Sequence, residues 1–184
     1  MNYKMIVLDL DGTLTNRDKI ITPRTKQSLM EAQKRGLKVV LASGRPTYGV
    51  MPLAEELELE TYEGYILSFN GGIIMNCRTK EILLKKKLPV EANRRIQEQV
   101  DVLTYEGAHI LTNNPDNPYA KIESGINHLK LKKVEDLDSY LDFPVPKFLM
   151  LDDGDYLALV EARVKAALGK NFSVYRSEPY FLEI

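Results

Sequence analysis

Cysteine occurs once among the 184 residues, at Cys77, so an internal disulfide is excluded and a reducing cytosol fits the composition. An excess of either charge is lacking too: 25 Lys and Arg stand against 26 Asp and Glu, a formal net charge of −1. That balance argues against nucleic acid or a polyanionic surface as partner, while small anionic ligands stay open. No apolar run approaches the ~18 residues of a membrane-spanning helix. Met1-Asn2-Tyr3-Lys4 leads straight into a short strand, without a signal-peptide layout. Internal repeats and low-complexity tracts are also absent. The expected protein is cytoplasmic, binds no membrane and no nucleic acid, and is a monomer or weak homodimer. His109 and His128 lack metal-ligand spacing, Cys77 has no activating neighbour and reads as a loop thiol, and Lys85-Lys86-Lys87 reads as a solvated run.

What the sequence does have is concentrated near its start. Asp9-Leu10-Asp11-Gly12-Thr13-Leu14-Thr15 follows the apolar run Met5-Ile6-Val7-Leu8, so two carboxylates sit where a buried strand runs out. Side chains alternate along a strand that rises ~3.3 Å per residue, which puts Asp9 and Asp11 on one side within roughly 7 Å. Two anions that close call for a cation, and oxygen donors of this kind suit Mg2+, which keeps waters and shares its shell with phosphate. Gly12 allows a sharp turn that frees backbone N–H groups to face an anion.

The first eighty residues alternate strand and helix. Thr22-Pro23 offers a helix start, with Leu29 and Ala32 on one face and Gly36 as the stop. A second apolar strand, Leu37 to Ala42, ends at Ser43-Gly44-Arg45-Pro46, and a helix is expected from Thr47 to about Leu59. Tyr65-Ile66-Leu67-Ser68-Phe69 is a third strand, ending at Asn70-Gly71-Gly72. Strands separated by helices imply a parallel sheet with ligands at the carboxyl ends, where Asp9, Ser43 and Asn70 all fall. Beyond Ile82 the pattern becomes mixed. Strands are expected at 107–111, 126–130, 147–151 and 172–175, and helices over 91–105, with Ile96, Val100 and Leu103 in step, and over 157–168.

The Asp-x-Asp-Gly-Thr-Leu string resembles the first motif of the haloacid dehalogenase superfamily of phosphohydrolases, and the strand ending at Ser43 is similar to its second. Ser-Gly-Arg-Pro points to the Cof-type branch, and Ser177-Glu178-Pro179-Tyr180-Phe181-Leu182-Glu183-Ile184 resembles its sugar phosphatases. The resemblance covers the whole chain. It implies a Rossmann-like α/β core, here residues 1–81, with an inserted α+β cap at 82–184. It also implies a Mg2+-dependent phosphomonoesterase acting on small phosphorylated metabolites, sugar phosphates in the sense of that branch. Asp9 would be the nucleophile that forms an aspartyl-phosphate, and Asp11 the general acid and base. Metal would sit on the Asp9 carboxylate and the Asp11 carbonyl. Ser43 and backbone N–H groups near Leu10, Asp11 and Gly44 would hold the phosphoryl oxygens, and Arg45, Asn70 and Gly71 would lie near the substrate. Tyr105, His109, Asn113 and Asn114 could meet sugar hydroxyls from the cap.

In the family a lysine and then a Gly-Asp-rich acidic motif follow the cap, and this sequence stops before both. A piece of a longer protein is therefore expected, with the first strand left as a sheet edge and its activity impaired. Lys170 and the Asp152-Asp153-Gly154-Asp155 cluster are poor substitutes, since aspartates between a strand and a helix favour turns and helix starts. A phosphomutase with the same nucleophile and a non-catalytic binder of phosphorylated ligands are the alternatives.

Overall fold

The computed structural model describes residues 3–89 and 100–184, which form two compact units, Met1–Lys86 and Lys87–Ile184. In the first, β1 (Met5–Asp9), β2 (Lys38–Ala42), β3 (Tyr65–Ser68), β4 (Ile73–Asn76) and β5 (Ile82–Lys85) make one sheet in that order. β1 pairs parallel with β2, and β2 with β3, from Met5 opposite Lys38 to Asp9 opposite Ala42. Helices supply the crossovers that parallel strands require: α1 (Pro23–Lys34) and α2 (Thr47–Glu56). Thr22 caps α1 by accepting from the Thr25 N–H, and Pro23 occupies its first turn. Val39, Leu41, Leu29, Val50 and Leu57 bury against one another in the core of this unit.

The sheet is α/β but not wholly parallel. Phe69, Asn70 and Gly71 all take positive φ (51°, 54° and 84°), which reverses the chain within one turn. Strands joined that tightly can pair only antiparallel, so β4 returns along β3 and β5 along β4. β5 thereby belongs to the first unit. Cys77, read from sequence as a loop thiol, is buried in the same core, and burial pushes its pKa up to about 11.

The second unit has a six-stranded sheet. Along the chain it runs β6 (Asp101–Glu106), β7 (His109–Thr112), α3 (Pro118–Asn127), β8 (Lys130–Lys133) and α4 (Leu137–Tyr140). β9 (Leu149–Leu151), α5 (Gly154–Leu168), β10 (Tyr175–Glu178) and β11 (Phe181–Glu183) complete it. Leu157, Val160, Val164 and Leu168 of α5 face the core, as their spacing predicts.

Three sequence expectations need correction here. Val100 and Leu103 do not share a helical face, because Asp101–Glu106 is a strand paired to β7 across a turn with Gly107 at φ 56°. The β-branched and aromatic side chains of Val102, Thr104 and Tyr105 favour that outcome; Ile96 and the rest of 90–99 lie outside the described residues. Ile126 and Asn127 end α3 rather than begin a strand. Asn117 starts this helix by accepting from the Tyr119 and Ala120 N–H groups, and His128 closes it at φ 54°. The strand expected at 172–175 starts only at Tyr175.

Near the C-terminal strand a charge pair is buried: Lys147 Nζ lies 3.1 Å from Glu183 Oε1, and the Tyr175 hydroxyl donates to Glu183 Oε2 at 2.9 Å. Burial pushes the Glu183 carboxyl up, but the Lys147 charge and the Ser177 and Tyr175 hydrogen bonds outweigh it and hold the group below its ordinary value of 4.5. A depressed carboxylate pKa contributes stability above the unfolded value and loses it as pH falls through the folded one. Lys147→Met should therefore cost about 3–5 kcal/mol at pH 7, by stranding a buried anion. In urea titrations the gap to the unmodified protein should narrow as pH falls, first above 4.5 as the stranded Glu183 carboxyl of the variant protonates, then below 4.5 as the unmodified protein loses its ion pair.

Candidate active site

The parallel pairing sets the ends of β1, β2 and β3 side by side, and the residues that follow them meet. After Asp9 the chain folds over the Leu10 carbonyl, which accepts from the Leu14 N–H (3.1 Å), the Thr15 N–H (2.9 Å) and the Thr15 hydroxyl (2.9 Å). Leu10 itself is fully buried. Gly12 sits at φ 83°, where a side chain would be strained.

From β2, the Ser43 N–H donates to Leu67 O at 2.8 Å and its carbonyl accepts from the Asn70 N–H at 3.1 Å. Its Oγ accepts from the Arg45 N–H at 3.1 Å, which leaves the hydroxyl hydrogen with no acceptor among the described residues. The Phe69 N–H donates to Arg45 O at 3.0 Å, so both ends of the Ser43–Arg45 segment are pinned to the turn after β3. A Cβ on Gly44 would come within 2.7 Å of the Asn70 Oδ1, so only glycine lets that carboxamide lie there. Asn70 is exposed and Gly71 half-buried on the same turn.

Arg45 is no solvated loop residue. It is 9% exposed, and its Nη2 and Nε donate to Asp11 Oδ1 and Oδ2 at 2.6 and 3.0 Å. Lys19 Nζ adds a third contact to Asp11 Oδ1 at 2.8 Å. Partial burial pushes the Asp11 carboxyl up, yet hydrogen bonds from Arg45 and Lys19, with their charges, hold it below its ordinary value. The two aspartates thus differ in their surroundings: the Asp11 carboxylate is neutralised by side chains. The exposed Asp9 carboxylate makes no hydrogen bond or ion pair among the described residues.

No group of three or more His, Cys, Asp or Glu that could hold a metal occurs among the described residues. An open Asp9 carboxylate beside the Asp11 carbonyl nevertheless fits a hard ion such as Mg2+, which needs only one or two carboxylates when waters and phosphate fill the rest.

Lys19 escaped the sequence reading. Asn16-Arg17-Asp18 is legible as a turn, but nothing in it tells where the next side chain points. The cap residues also separate. Tyr105 is buried and donates to Glu123 Oε1 at 2.6 Å, so it is a core residue rather than a sugar contact. Glu106, the next residue of β6, pairs with the exposed His109 at one end of β7, while Asn113 and Asn114 follow its other end. Asn114 and Asn117 both donate to Asp101 Oδ2 at 2.7 Å, and Asn113, Asn117, Tyr119 and Asp152 line a cavity of about 550 Å3. Asp153 caps α5 by accepting from the Asp155 N–H at 2.9 Å, the turn role expected of that cluster.

Among solved structures, a haloacid dehalogenase-like hydrolase from Bacteroides thetaiotaomicron superposes with a TM-score of 0.91 at 42% identity, over 99% of this chain and 70% of that one. A sugar phosphatase of subclass IIB shares the fold at a TM-score of 0.73 and 21% identity, over 98% of this chain and 68% of that one. The Bacillus subtilis protein YxeH, which carries a provisional phosphatase name, is 26% identical over 190 residues, covering 99% of this chain and 70% of its own length. A sequence profile of haloacid dehalogenase-like hydrolases matches residues 6–184, and with that match the chain belongs to this family.

Proposed function

We propose that this hydrolase cleaves phosphomonoesters of small metabolites, sugar phosphates above all, through a phosphoaspartate at Asp9 and with Mg2+ as cofactor. The observation that carries the reading is the contrast between the two aspartates: Asp9 is open and unpaired, while Asp11 is held by Arg45 and Lys19. A free carboxylate can attack phosphorus. A held one can pass a proton at a fixed place.

In the first step an Asp9 carboxylate oxygen bonds to phosphorus as the bond from phosphorus to the leaving oxygen breaks. The leaving oxygen keeps that electron pair and takes a proton from Asp11, which is a carboxylate in the free site and takes that proton up from the phosphate monoanion of the incoming substrate. In the second, Asp11, now a carboxylate, removes a proton from the water that attacks phosphorus, and Asp9 is released with inorganic phosphate. The Asp9 carboxylate and the Asp11 carbonyl would hold Mg2+, which when bound would supply positive charge easing the approach of one anion to another. Ser43 donates its spare hydroxyl hydrogen to a phosphoryl oxygen, and backbone N–H groups near Leu10 and Asp11 provide further donors. Asn70 and Gly71, exposed and half-buried on the adjoining turn, face the substrate side of this reading.

Sugar phosphates as substrates are supported by the shared fold of the subclass IIB sugar phosphatase. A cytosolic setting is supported by the single, buried cysteine; among the described residues no helix is long and apolar enough to cross a membrane. The lysine and further acidic motif implied by the family are not assigned to Lys170 or to Asp152–Asp155, since the latter cluster serves the start of α5.

Asp9→Asn in the full-length protein should fold normally and lose turnover of an aryl phosphate by several orders of magnitude, because the amide cannot act as the anionic nucleophile. Retention of a tenth of the activity by the pure variant would remove Asp9 from that role. Gly44→Ala should displace the Asn70 carboxamide and lower kcat/KM by about tenfold or more, as misplaced site groups do. Unchanged kinetics in that variant would take Asn70 out of the substrate site. In a panel of phosphorylated metabolites, hexose and pentose phosphates should lead with modest preference among themselves; a nucleotide or phosphoprotein favoured a thousandfold would overturn the substrate class.

A further inference from the structure

Lys19 has no part in the steps above, yet the chain goes to some length to place it. Its φ of 62° lies in the left-handed region, which residues with a Cβ enter at a cost. The Asn16 side chain fixes the turn around it, accepting from the Asp18 N–H at 3.0 Å and the Ile20 N–H at 3.2 Å. The Asn16 N–H donates to Ile20 O and the Lys19 N–H to Asn16 O, both at 3.0 Å. Bridges from Asp11 to Thr15 and from Thr15 to Ile21 tie the base of this loop to the strand end. The product of all this is one contact, Lys19 Nζ to Asp11 Oδ1 at 2.8 Å.

A carboxylate oxygen offers about two lone-pair directions. The Arg45 fork takes one on each Asp11 oxygen, and by itself leaves the two oxygens equivalent, each with one direction open. Lys19 breaks that equivalence by filling the second direction on Oδ1. Only Oδ2 then has room for another hydrogen bond. We infer that Lys19 is a positioning residue for Asp11, and that by saturating Oδ1 it makes Oδ2 the single oxygen through which Asp11 exchanges a proton with leaving group and water. The inference rests on the acid and base role proposed above for Asp11.

The test uses leaving groups of different need. An alkoxide departs poorly without a proton, whereas p-nitrophenolate leaves with little help. In the full-length protein supplied with Mg2+, kcat and KM are measured for a hexose phosphate and for p-nitrophenyl phosphate. Lys19→Met should lower kcat on the hexose phosphate about tenfold more than on the aryl phosphate, part of the hundredfold or greater effect general acids have. The split should appear in kcat rather than KM, and Lys19→Arg, which restores a donor, should recover most of it. Thermal unfolding of Lys19→Met should stay close to that of the unmodified protein, since its side chain is about half exposed. Equal losses on the two substrates, no loss, or a change confined to KM would overturn the inference. Asp11→Ala separates the two levels of the argument: if it shows the leaving-group split and Lys19→Met does not, Lys19 alone is misassigned. If Asp11→Ala shows no split, the acid role of Asp11 falls and the Lys19 inference falls with it.

Discussion

The register of β1 against β2 is the constraint on which the site depends. Asp9 lies opposite Ala42, so both strands run out at the same level and their following loops share one space. β3 joins them through Ala42 opposite Leu67, which brings the Asn70 turn to the same edge. A slip of one residue between β1 and β2 would turn every side chain of β1 to the other face of the sheet. Asp9 and Asp11 would then leave the edge together. Packing of Ile6 and Leu8 of β1 against the core opposes such a slip, so packing in the middle of the sheet fixes chemistry at its end.

At that edge the backbone does much of the holding. Ser43 and Arg45 are tied by main-chain bonds to Leu67, Phe69 and Asn70, which leaves the Ser43 hydroxyl and the Arg45 guanidinium as the adjustable parts. The guanidinium is almost wholly buried and spends its fork on Asp11. An arginine this buried needs a carboxylate partner, because the cost of leaving it unpaired is large. Asp11 is thus as much a structural counter-ion for Arg45 as Arg45 is a clamp for Asp11.

Much of this was readable from residue order, for physical reasons. Two aspartates at the end of an apolar strand, with glycine after them, already say strand end, turn and anion site. The Thr22-Pro23 start of α1 and the α5 spacing of Leu157, Val160, Val164 and Leu168 are local signals that the tertiary structure reinforces. The failures share a different cause. Asp101–Glu106 carries a spacing compatible with helix, and only pairing to β7 and β9 decides for strand. Asn70-Gly71-Gly72 is visible as a turn, but its sharpness, and hence the antiparallel return of β4, follows from three consecutive positive φ values. Lys19 and Tyr105 were beyond reach because where a long side chain points depends on partners distant in sequence, Asp11 for one and Glu123 for the other.

Cys77 packs among Leu57, Leu59, Ile66 and Met75, and burial pushes its thiol pKa up to about 11. Since the thiolate is the reactive form, this sulfur is nearly silent toward alkylating reagents while the first unit stays closed. Opening of that unit restores both access and an ordinary acidity. The rate at which Cys77 is labelled is therefore a built-in clock for opening of the β1–β5 unit, readable by mass spectrometry without any engineered probe.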